Sequence, residues 1–411
     1  MVETSGDRPD RPDRPALRAG RTWPAGLHCV RDNGAVTNAD RVYLDHAATS
    51  PLCRAAATAM ATTPPLGNPS ATHGSGRRAA ALLEDAREEI AARLGVSPLE
   101  VVFTSGGTEA DSLAVTGALS GGGRAWVSAV EHPAVAGLAD PLLLGERVEV
   151  LPVDEHGHVD PDGVCPSAGD VVSVMTVNNE TGVVQPIPEC AERARGAGAL
   201  MHTDAVQALG HLPVDPRGWG VDLMSLSAHK IAGPVGIGAL WVRRGVRVHP
   251  LVAGGGQQEG VRPGTQTVML ARGFAAALGE ALDELGERMD RWDRLRRRLV
   301  DGVARIEGVG VDGHDQAGPD QSAAICHLTV EGARSADLLV LLDRAGIDAS
   351  AGSACQAGVS RPSTVMLAMG RSQAQASSGL RISFGPHTDE ADVDALLSSL
   401  PEAVARARAA R

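Results

Sequence analysis

The chain from Val42 onward alternates short apolar runs with alanine-rich segments of helical character. Each run is short enough to be one buried strand, and the seven runs cover 100–104, 124–128, 148–153, 171–177, 200–203, 223–226 and 238–242. Strands that alternate with helices favour right-handed crossovers and a mostly parallel sheet. The pattern therefore predicts an α/β fold.

A long amphipathic pattern from about 268 to 307 separates this first α/β unit from a second one. Its apolar positions are Ala275, Leu278, Leu282, Leu285, Met289, Trp292, Leu295 and Leu299. We predict one helix there, leaving the first unit, and a second α/β unit at about 308–411. We assign a large domain to 55–282 and a smaller α/β domain to 41–54 and 283–411. Residues 1–40 repeat Arg-Pro-Asp and have no hydrophobic period, which predicts a flexible tail.

Composition narrows the class of protein. The 411 residues carry a formal charge of −12, which argues against direct nucleic-acid binding. The chain lacks a run of ~20 apolar residues and a basic-then-apolar leader, so we expect a cytoplasmic protein without membrane contact. The six cysteines show no paired spacing, so we expect neither a metal site nor a disulfide framework.

The most informative count is that of lysine. Lys plus Arg is 38, and Lys230 is the single lysine among them. In this chain arginine stands at the other positions, where a positive charge is sufficient. A guanidinium group cannot act as an amine nucleophile or form a Schiff base. Lys230 is therefore a candidate nucleophile, with chance survival on the surface as the alternative.

Polar residues follow several predicted strands, at the edge where parallel sheets bind ligands. The run Ser-Gly-Gly-Thr-Glu at 105–109 predicts a phosphate-binding turn before a helix, although an ordinary tight turn is equally compatible. Asp204, followed by Gln207, is a candidate partner for a ring nitrogen or else a helix N-cap. The run Ser-Ala-His-Lys at 227–230 adds the amine. Together they match the needs of pyridoxal 5'-phosphate: an amine, an acid for the pyridine nitrogen and an anion cup.

These motifs resemble those of the cysteine desulfurases, class V enzymes of pyridoxal-phosphate fold type I. The resemblance runs from about Val42 to about Asp392 and rests on the segments 43–49, 178–182, 204–207 and 227–230. It implies a large domain with a mostly parallel seven-stranded sheet and a smaller α/β domain.

The resemblance also implies roles in cofactor binding. Lys230 binds the cofactor and moves the Cα proton, Asp204 keeps the pyridine nitrogen protonated, and His132 stacks on the ring. Asn179 and Gln207 contact the hydroxyl side of the ring. The residues implied to bind the phosphate are Gly107, Thr108, Ser227, His229 and, from the neighbouring subunit of a homodimer, Thr265.

Substrate contacts are implied at two of these segments. Arg381 binds the substrate carboxylate through a bidentate hydrogen bond, and Asn179 also contacts the substrate. Arg381 lies in the run Leu-Arg-Ile-Ser-Phe-Gly at 380–385. Taken singly, His132 would be a loop histidine, Asn179 a turn residue and Arg381 a surface charge. Because all three residues occur together with the other motifs of the family, we interpret them as site residues instead.

The reaction is indicated by Cys355, which lies among small residues in Gly-Ser-Ala-Cys-Gln-Ala-Gly at 352–358. Cysteine desulfurases have their sulfur-accepting cysteine in a matching loop. The resemblance therefore implies that L-cysteine is converted to L-alanine, leaving a persulfide on Cys355 for a protein acceptor. The sequence does not name this acceptor: it is an iron–sulfur scaffold, a tRNA-thiolation enzyme, or a protein of a thiamine, molybdenum-cofactor, DNA-sulfur or secondary-metabolite pathway. A selenocysteine lyase or related β-eliminating enzyme, in which Cys355 is dispensable, is the alternative.

Four positions depart from the family pattern. Val235, Ala253, Glu259 and Pro263 stand where lysine, histidine, arginine and serine are common. We expect them near the site entrance and the subunit contact, where they bear on the neighbour's phosphate geometry and on acceptor docking. A non-catalytic scaffold would be expected to lack the lysine or the phosphate-binding residues, and this chain has both.

Overall fold

The computed structural model describes residues 41–65, 67–119, 122–352 and 361–410, so the predicted tail lies outside it. The strands are β1 Val42–Tyr43, β2 Val101–Thr104, β3 Ala125–Ser128, β4 Val148–Leu151, β5 Val171–Ser173, β6 Leu200–Asp204, β7 Leu223–Ser227, β8 Gly238–Val242, β9 Val309–Asp312, β10 Ile325–Val330, β11 Ile347–Asp348 and β12 Gly379–Ser383. The helices are α1 Arg54–Ala61, α2 Gly74–Leu94, α3 Gly107–Ala118, α4 Pro133–Ala136, α5 Ile187–Gly196, α6 Val268–Asp283, α7 Leu285–Val303, α8 Ser335–Arg344, α9 Thr364–Ala368, α10 Gln373–Ala376 and α11 Glu390–Ala409.

Each of the seven predicted apolar runs corresponds to a strand of one seven-stranded sheet, and each strand lies within its run or extends one residue past the run's carboxyl end. The strand order is β2-β8-β7-β6-β5-β3-β4, and β8 alone runs antiparallel to its neighbours. This confirms the mostly parallel α/β fold. Helices and loops cover both faces, which explains why β2, β5 and β7 are buried at every position. The carboxyl ends of β2, β3, β5, β6 and β7 therefore lie at one edge.

Two smaller sheets form from the rest of the chain. Strands β12, β10 and β9 make an antiparallel sheet, and β1 pairs with β11 in parallel. The second pairing joins Val42 to Ile347, and it supports grouping the segment 41–54 with the C-terminal part of the chain. The exact domain boundaries stay a prediction.

The prediction of one helix over 268–307 is wrong. The chain leaves helical geometry at Glu284 (φ −99°, ψ 2°), and separate helices α6 and α7 result. The apolar face of α6 packs on α1 and α2, whereas α7 packs on β9 and α11. Each helix buries its apolar face against a different part of the fold. The break at Glu284 changes the direction of the chain, so that both apolar faces are buried. Among the described residues, no helix is long and apolar enough to cross a membrane.

Trp292 on α7 is a large, buried side chain at the contact between α7, the loop after β12 and the large domain. Its indole Nε1 donates a hydrogen bond to the carbonyl oxygen of Gly385 at 2.9 Å. The ring also lies 5.3 Å from that of His211. Trp292 therefore ties α7 both to the loop after β12 and to the large domain.

We expect Trp292→Ala to lower the free energy of unfolding by about 3–5 kcal/mol, because it leaves a large cavity and an unpaired carbonyl. Trp292→Phe keeps most of the ring and should cost about 1–3 kcal/mol. Urea unfolding followed by circular dichroism measures both. A loss below about 1 kcal/mol for Trp292→Ala would contradict this account of the junction.

Candidate active site

A cavity of about 630 Å³ opens at the carboxyl ends of the parallel strands. Its walls come from the loops after these strands and from the segment 349–352 with residues 361, 362, 364 and 381. Ten residues predicted from the sequence line it: Gly107, Thr108, His132, Asn179, Asp204, Gln207, Ser227, His229, Lys230 and Arg381. The structure thus brings together in one cavity residues that are scattered along the chain.

The two remaining predicted site residues are Thr265 and Cys355. Thr265 is exposed and does not line the cavity of its own chain. Cys355 lies outside the described residues, although Gly352 and Arg361, which flank its segment, both line the cavity.

One end of the cavity has the features of an anion site. Gly107 is the first residue of α3, whose twelve residues direct backbone N–H groups toward this end. A Cβ on Gly107 would lie 2.8 Å from Cγ2 of Val206, so a side chain would displace its neighbour. The Ser227 hydroxyl is buried and has no hydrogen-bond partner among the described residues. A phosphate group would supply the acceptor that this hydroxyl lacks.

Asp204 ends β6 beneath the cavity and is 4% exposed. Its Oδ1 accepts a hydrogen bond from the Val206 backbone N–H at 2.8 Å. Burial raises the pKa of Asp204 to about 6, while the Val206 N–H and the nearby Lys230 charge act in the opposite direction. A cation against this carboxylate would offset its desolvation, and a protonated pyridine nitrogen is such a cation.

Lys230 reaches the cavity from the short turn after β7. Its Nζ donates to the carbonyl oxygens of Ala47 at 2.7 Å and Ala48 at 2.8 Å. Burial and the charge of Arg381 lower the pKa of Lys230 to about 8, against opposing contributions from Asp204 and Asp45. A substantial fraction of this amine is therefore neutral near physiological pH, as a nucleophile or base requires.

The segment 45–50 also contacts Gln207 and His229, two further side chains that line the cavity. Gln207 Nε2 donates to the Ala47 carbonyl at 2.8 Å, and His229 Nδ1 lies 3.2 Å from the Thr49 hydroxyl. The Ser50 backbone N–H donates to the His229 carbonyl at 2.9 Å. The motif that carried part of the family resemblance is thus a structural support for the site.

His132 is the N-cap of α4 and lines the cavity. Its Nδ1 accepts from the Ala134 backbone N–H at 3.1 Å, which fixes the ring orientation. Burial, with the charges of Lys230 and Arg381, lowers the pKa of His132 to about 4. The ring is therefore neutral at physiological pH, as suits stacking against a pyridine ring.

Arg381 lies in the middle of β12, where it is buried and lines the cavity. Its Nη1 donates to the Asn179 carbonyl at 2.8 Å, and its Nη2 donates to Asp45 Oδ1 at 2.7 Å. Its Nε–H has no partner among the described residues. A buried guanidinium with free donors can bind a carboxylate.

Sequence reasoning missed several buried polar residues behind the site. His202 lies two residues before Asp204 on β6, between the hydroxyls of Ser173 at 2.8 Å and Ser225 at 2.9 Å. Asp111 Oδ1 is 3.7 Å from His202 Nε2, and Asp111 also lines the cavity. The alternation of side chains along a strand could have placed His202 on the face of Asp204. The contact with Asp111 depends on helix α3 and has no local signal.

Glu131 was also missed, although it precedes His132. Its Oε1 accepts from the Ser128 hydroxyl at 2.6 Å and from the Met175 N–H at 2.7 Å. Complete burial raises the pKa of Glu131 to about 8, against the Ser128 hydrogen bond. Glu131 is therefore largely protonated at pH 7, and so adds little negative charge beside Asp204.

The four family departures lie outside the residues that line the cavity. Val235 is 73% exposed, and Glu259 adopts a left-handed backbone (φ 57°). Pro263 is buried against Gly254. Their expected effects on a subunit contact and on acceptor docking stay predictions.

The residues present fit pyridoxal 5'-phosphate. The amine of Lys230, the carboxylate of Asp204, the neutral ring of His132 and the unpartnered Ser227 hydroxyl face one cavity. Lys230 would hold the cofactor covalently, and Asp204 would pair with its ring nitrogen.

Comparison with known proteins agrees with this geometry. The aminotransferase class-V family model matches residues 42–396. The IscS-like cysteine desulfurase of Mycobacterium tuberculosis is 46% identical over 384 residues, covering 90% of this chain and 97% of that protein.

Solved structures give the same picture. A NifS-like protein from Rickettsia africae superposes with a TM-score of 0.80 at 27% identity, covering 88% of this chain and 99% of that one. SspA, solved in complex with cysteine, superposes with a TM-score of 0.70 at 30% identity, covering 84% and 99%.

The lowered pKa of Lys230 can be measured directly. In cofactor-free protein, modification of Lys230 by trinitrobenzenesulfonate should reach half its maximal rate at about pH 8, whereas an ordinary lysine does so near 10.5. Because Lys230 is the single lysine, peptide mass spectrometry separates it from the α-amino group. A midpoint near 10.5 would contradict the electrostatic description of the site.

Proposed function

Because this chain belongs to the aminotransferase class-V family and, within it, to the cysteine desulfurases, we propose that it takes sulfur from L-cysteine, using pyridoxal 5'-phosphate held by Lys230, and leaves L-alanine and a persulfide on Cys355. The observation that carries this proposal is the convergence of the single lysine with Asp204, His132 and Arg381 at one cavity.

The bound cofactor supplies an electron sink that acidifies the substrate Cα–H and weakens the bond between Cβ and sulfur. Lys230 Nζ takes the Cα proton. Its lowered pKa supports this role, since a neutral amine is the form that accepts a proton. The carbonyls of Ala47 and Ala48 are placed to accept hydrogen bonds from the ammonium that results.

The remaining cofactor contacts divide between the two ends of the cavity. Asp204 pairs with the ring nitrogen, His132 stacks on the ring, and Asn179 and Gln207 contact its hydroxyl side. The residues that bind the phosphate are Gly107, Thr108, Ser227 and His229. The buried, unpartnered hydroxyl of Ser227 supports this assignment.

Arg381 binds the substrate carboxylate, and Asn179 assists it. The unpartnered Nε–H of Arg381 in the cavity wall supports this role. Fixing the carboxylate and the amino group orients the Cα–H bond toward Lys230.

Sulfur transfer requires a thiolate at Cys355. That thiolate attacks the substrate sulfur, so a sulfur–sulfur bond forms while the bond between Cβ and sulfur breaks. The released electron pair stays on the carbon skeleton, which becomes L-alanine after protonation. The cavity-lining positions of Gly352 and Arg361, on either side of the segment, support delivery of Cys355 to this cavity.

The persulfide then passes to a protein acceptor, such as an iron–sulfur scaffold or a tRNA-thiolation enzyme. We place the enzyme in a homodimer in which Thr265 completes the partner's phosphate site. The exposure of Thr265 and its absence from the lining of its own chain's cavity support this arrangement.

Purified protein with pyridoxal 5'-phosphate and a thiol reductant should release alanine from L-cysteine. Lys230→Ala should abolish this release, because no group then accepts the Cα proton. Cys355→Ser should also abolish it, because no thiolate then accepts the sulfur atom. Amino-acid analysis measures the product. Cys165→Ser is the matched control, since Cys165 is an exposed cysteine with no place in the site.

Alanine release that persists in Cys355→Ser would contradict the persulfide step. If that variant also retained selenocysteine turnover, the enzyme would be a lyase.

Mixed dimers test the shared site. Lys230→Ala and Thr265→Ala protomers, each impaired alone, should regain about half of the wild-type rate per dimer when combined, because one of the two sites then has both residues. Refolded mixtures carrying two different affinity tags isolate the hybrid. A hybrid no more active than its parents would contradict Thr265 acting across the dimer.

A further inference from the structure

Asp45 makes an ion pair with the substrate-facing arginine. Asp45 Oδ1 lies 2.7 Å from Arg381 Nη2, and the two side chains are 22% and 5% exposed. Asp45 belongs to the segment 43–49 but has no role among those inferred from the family resemblance. A carboxylate beside an arginine that must bind another carboxylate needs an explanation, because the two compete for the same donors.

The hydrogen-bond inventory shows that the two carboxylates can be bound together. A guanidinium has five N–H groups, of which one goes to the Asn179 carbonyl and one to Asp45. The three that remain include Nε–H, which has no partner among the described residues. A two-point hydrogen bond to a substrate carboxylate therefore remains possible while Asp45 stays in place.

The backbone holds Asp45 in register with the strand of Arg381. Asp45 forms a parallel bridge with Ser383, two residues beyond Arg381 on β12. The Ser383 N–H donates to the Leu44 carbonyl, and the Ala47 N–H donates to the Ser383 hydroxyl, both at 2.8 Å. The carboxylate is thus a fixed acceptor, and the Asn179 carbonyl is a second one. Together they restrict the plane of the guanidinium.

Asp45 also balances charge in the cavity. The charge of Arg381 lowers the pKa of Lys230, and that of Asp45 raises it. Without Asp45, two neighbouring cations would face each other with less compensation.

We propose that Asp45 is a positioning residue for substrate binding, which orients Arg381 so that its free N–H groups meet the carboxylate of the amino acid. This inference rests on the proposed function, since it assumes that an amino acid binds at Arg381. A purely structural ion pair would instead stabilise the fold and leave ligand affinity unchanged.

The test compares Asp45→Ala and Asp45→Asn in the cofactor-loaded enzyme. The readout is the dissociation constant of L-alanine, which has no thiol, followed by the change in cofactor absorbance. KM and kcat for L-cysteine are measured alongside. The matched control is Asp348→Ala, which removes a similarly exposed carboxylate whose ion pair is with Arg41.

We expect Asp45→Ala to raise the dissociation constant of L-alanine and the KM for L-cysteine about tenfold, with kcat within about threefold of wild type. Asp45→Asn, whose amide oxygen still accepts from Nη2, should bind L-alanine within about threefold of wild type or more tightly. Asp348→Ala should bind as wild type does.

Three results would overturn the proposal: unchanged L-alanine affinity in Asp45→Ala, equal losses in Asp45→Asn and Asp45→Ala, or an equal loss in Asp348→Ala. Failure of the proposed function is a separate result, namely no alanine from L-cysteine in the wild type. The L-alanine titration would still report on Asp45 in that case.

Discussion

The site depends on one set of contacts, the hydrogen bonds that the segment 45–50 makes with the residues after β6 and β7 and with β12. The carbonyls of Ala47 and Ala48 accept from Lys230, and the Ala47 carbonyl also accepts from Gln207. Asp45 pairs with Arg381. Because this segment continues β1, which pairs with β11, the position of the smaller sheets determines where the amine and the guanidinium point. One piece of backbone thus positions the Lys230 amine, the Gln207 amide and the Arg381 guanidinium in the same cavity.

Burying so many ionisable groups together is costly unless their charges are balanced. The cavity keeps Lys230 and Arg381 near the carboxylates of Asp204 and Asp45. Burial raises the pKa of both Glu131 and Asp111, and the value of about 8 for Glu131 leaves that carboxyl largely protonated at pH 7. An anionic phosphate and a substrate carboxylate then enter a cavity whose positive groups are already oriented. Such preorganisation lowers the reorganisation needed when ligands bind.

Local signals in the sequence were sufficient for most of the fold. Each strand of the large sheet lies within a predicted apolar run or extends one residue past it, because a strand buried on both faces is mostly apolar. The helical pattern over 268–307 failed at Glu284, since continuous periodicity does not reveal that α6 and α7 pack against different partners. The buried row of Ser173, His202 and Ser225 was also missed, because it joins three neighbouring strands.

The chemical groups of the site are visible in the sequence: a single lysine in an arginine-rich chain, a carboxylate and a hydroxyl at strand ends, and glycines before a helix. Residue identity and short-range pattern are local properties, so they can be read without coordinates. The direct contacts between these groups come from the three-dimensional fold. The Asp45–Arg381 contact spans 336 residues and that of Lys230 with Ala47 spans 183. Such contacts arise from the packing of whole sheets and helices, and no local pattern encodes them.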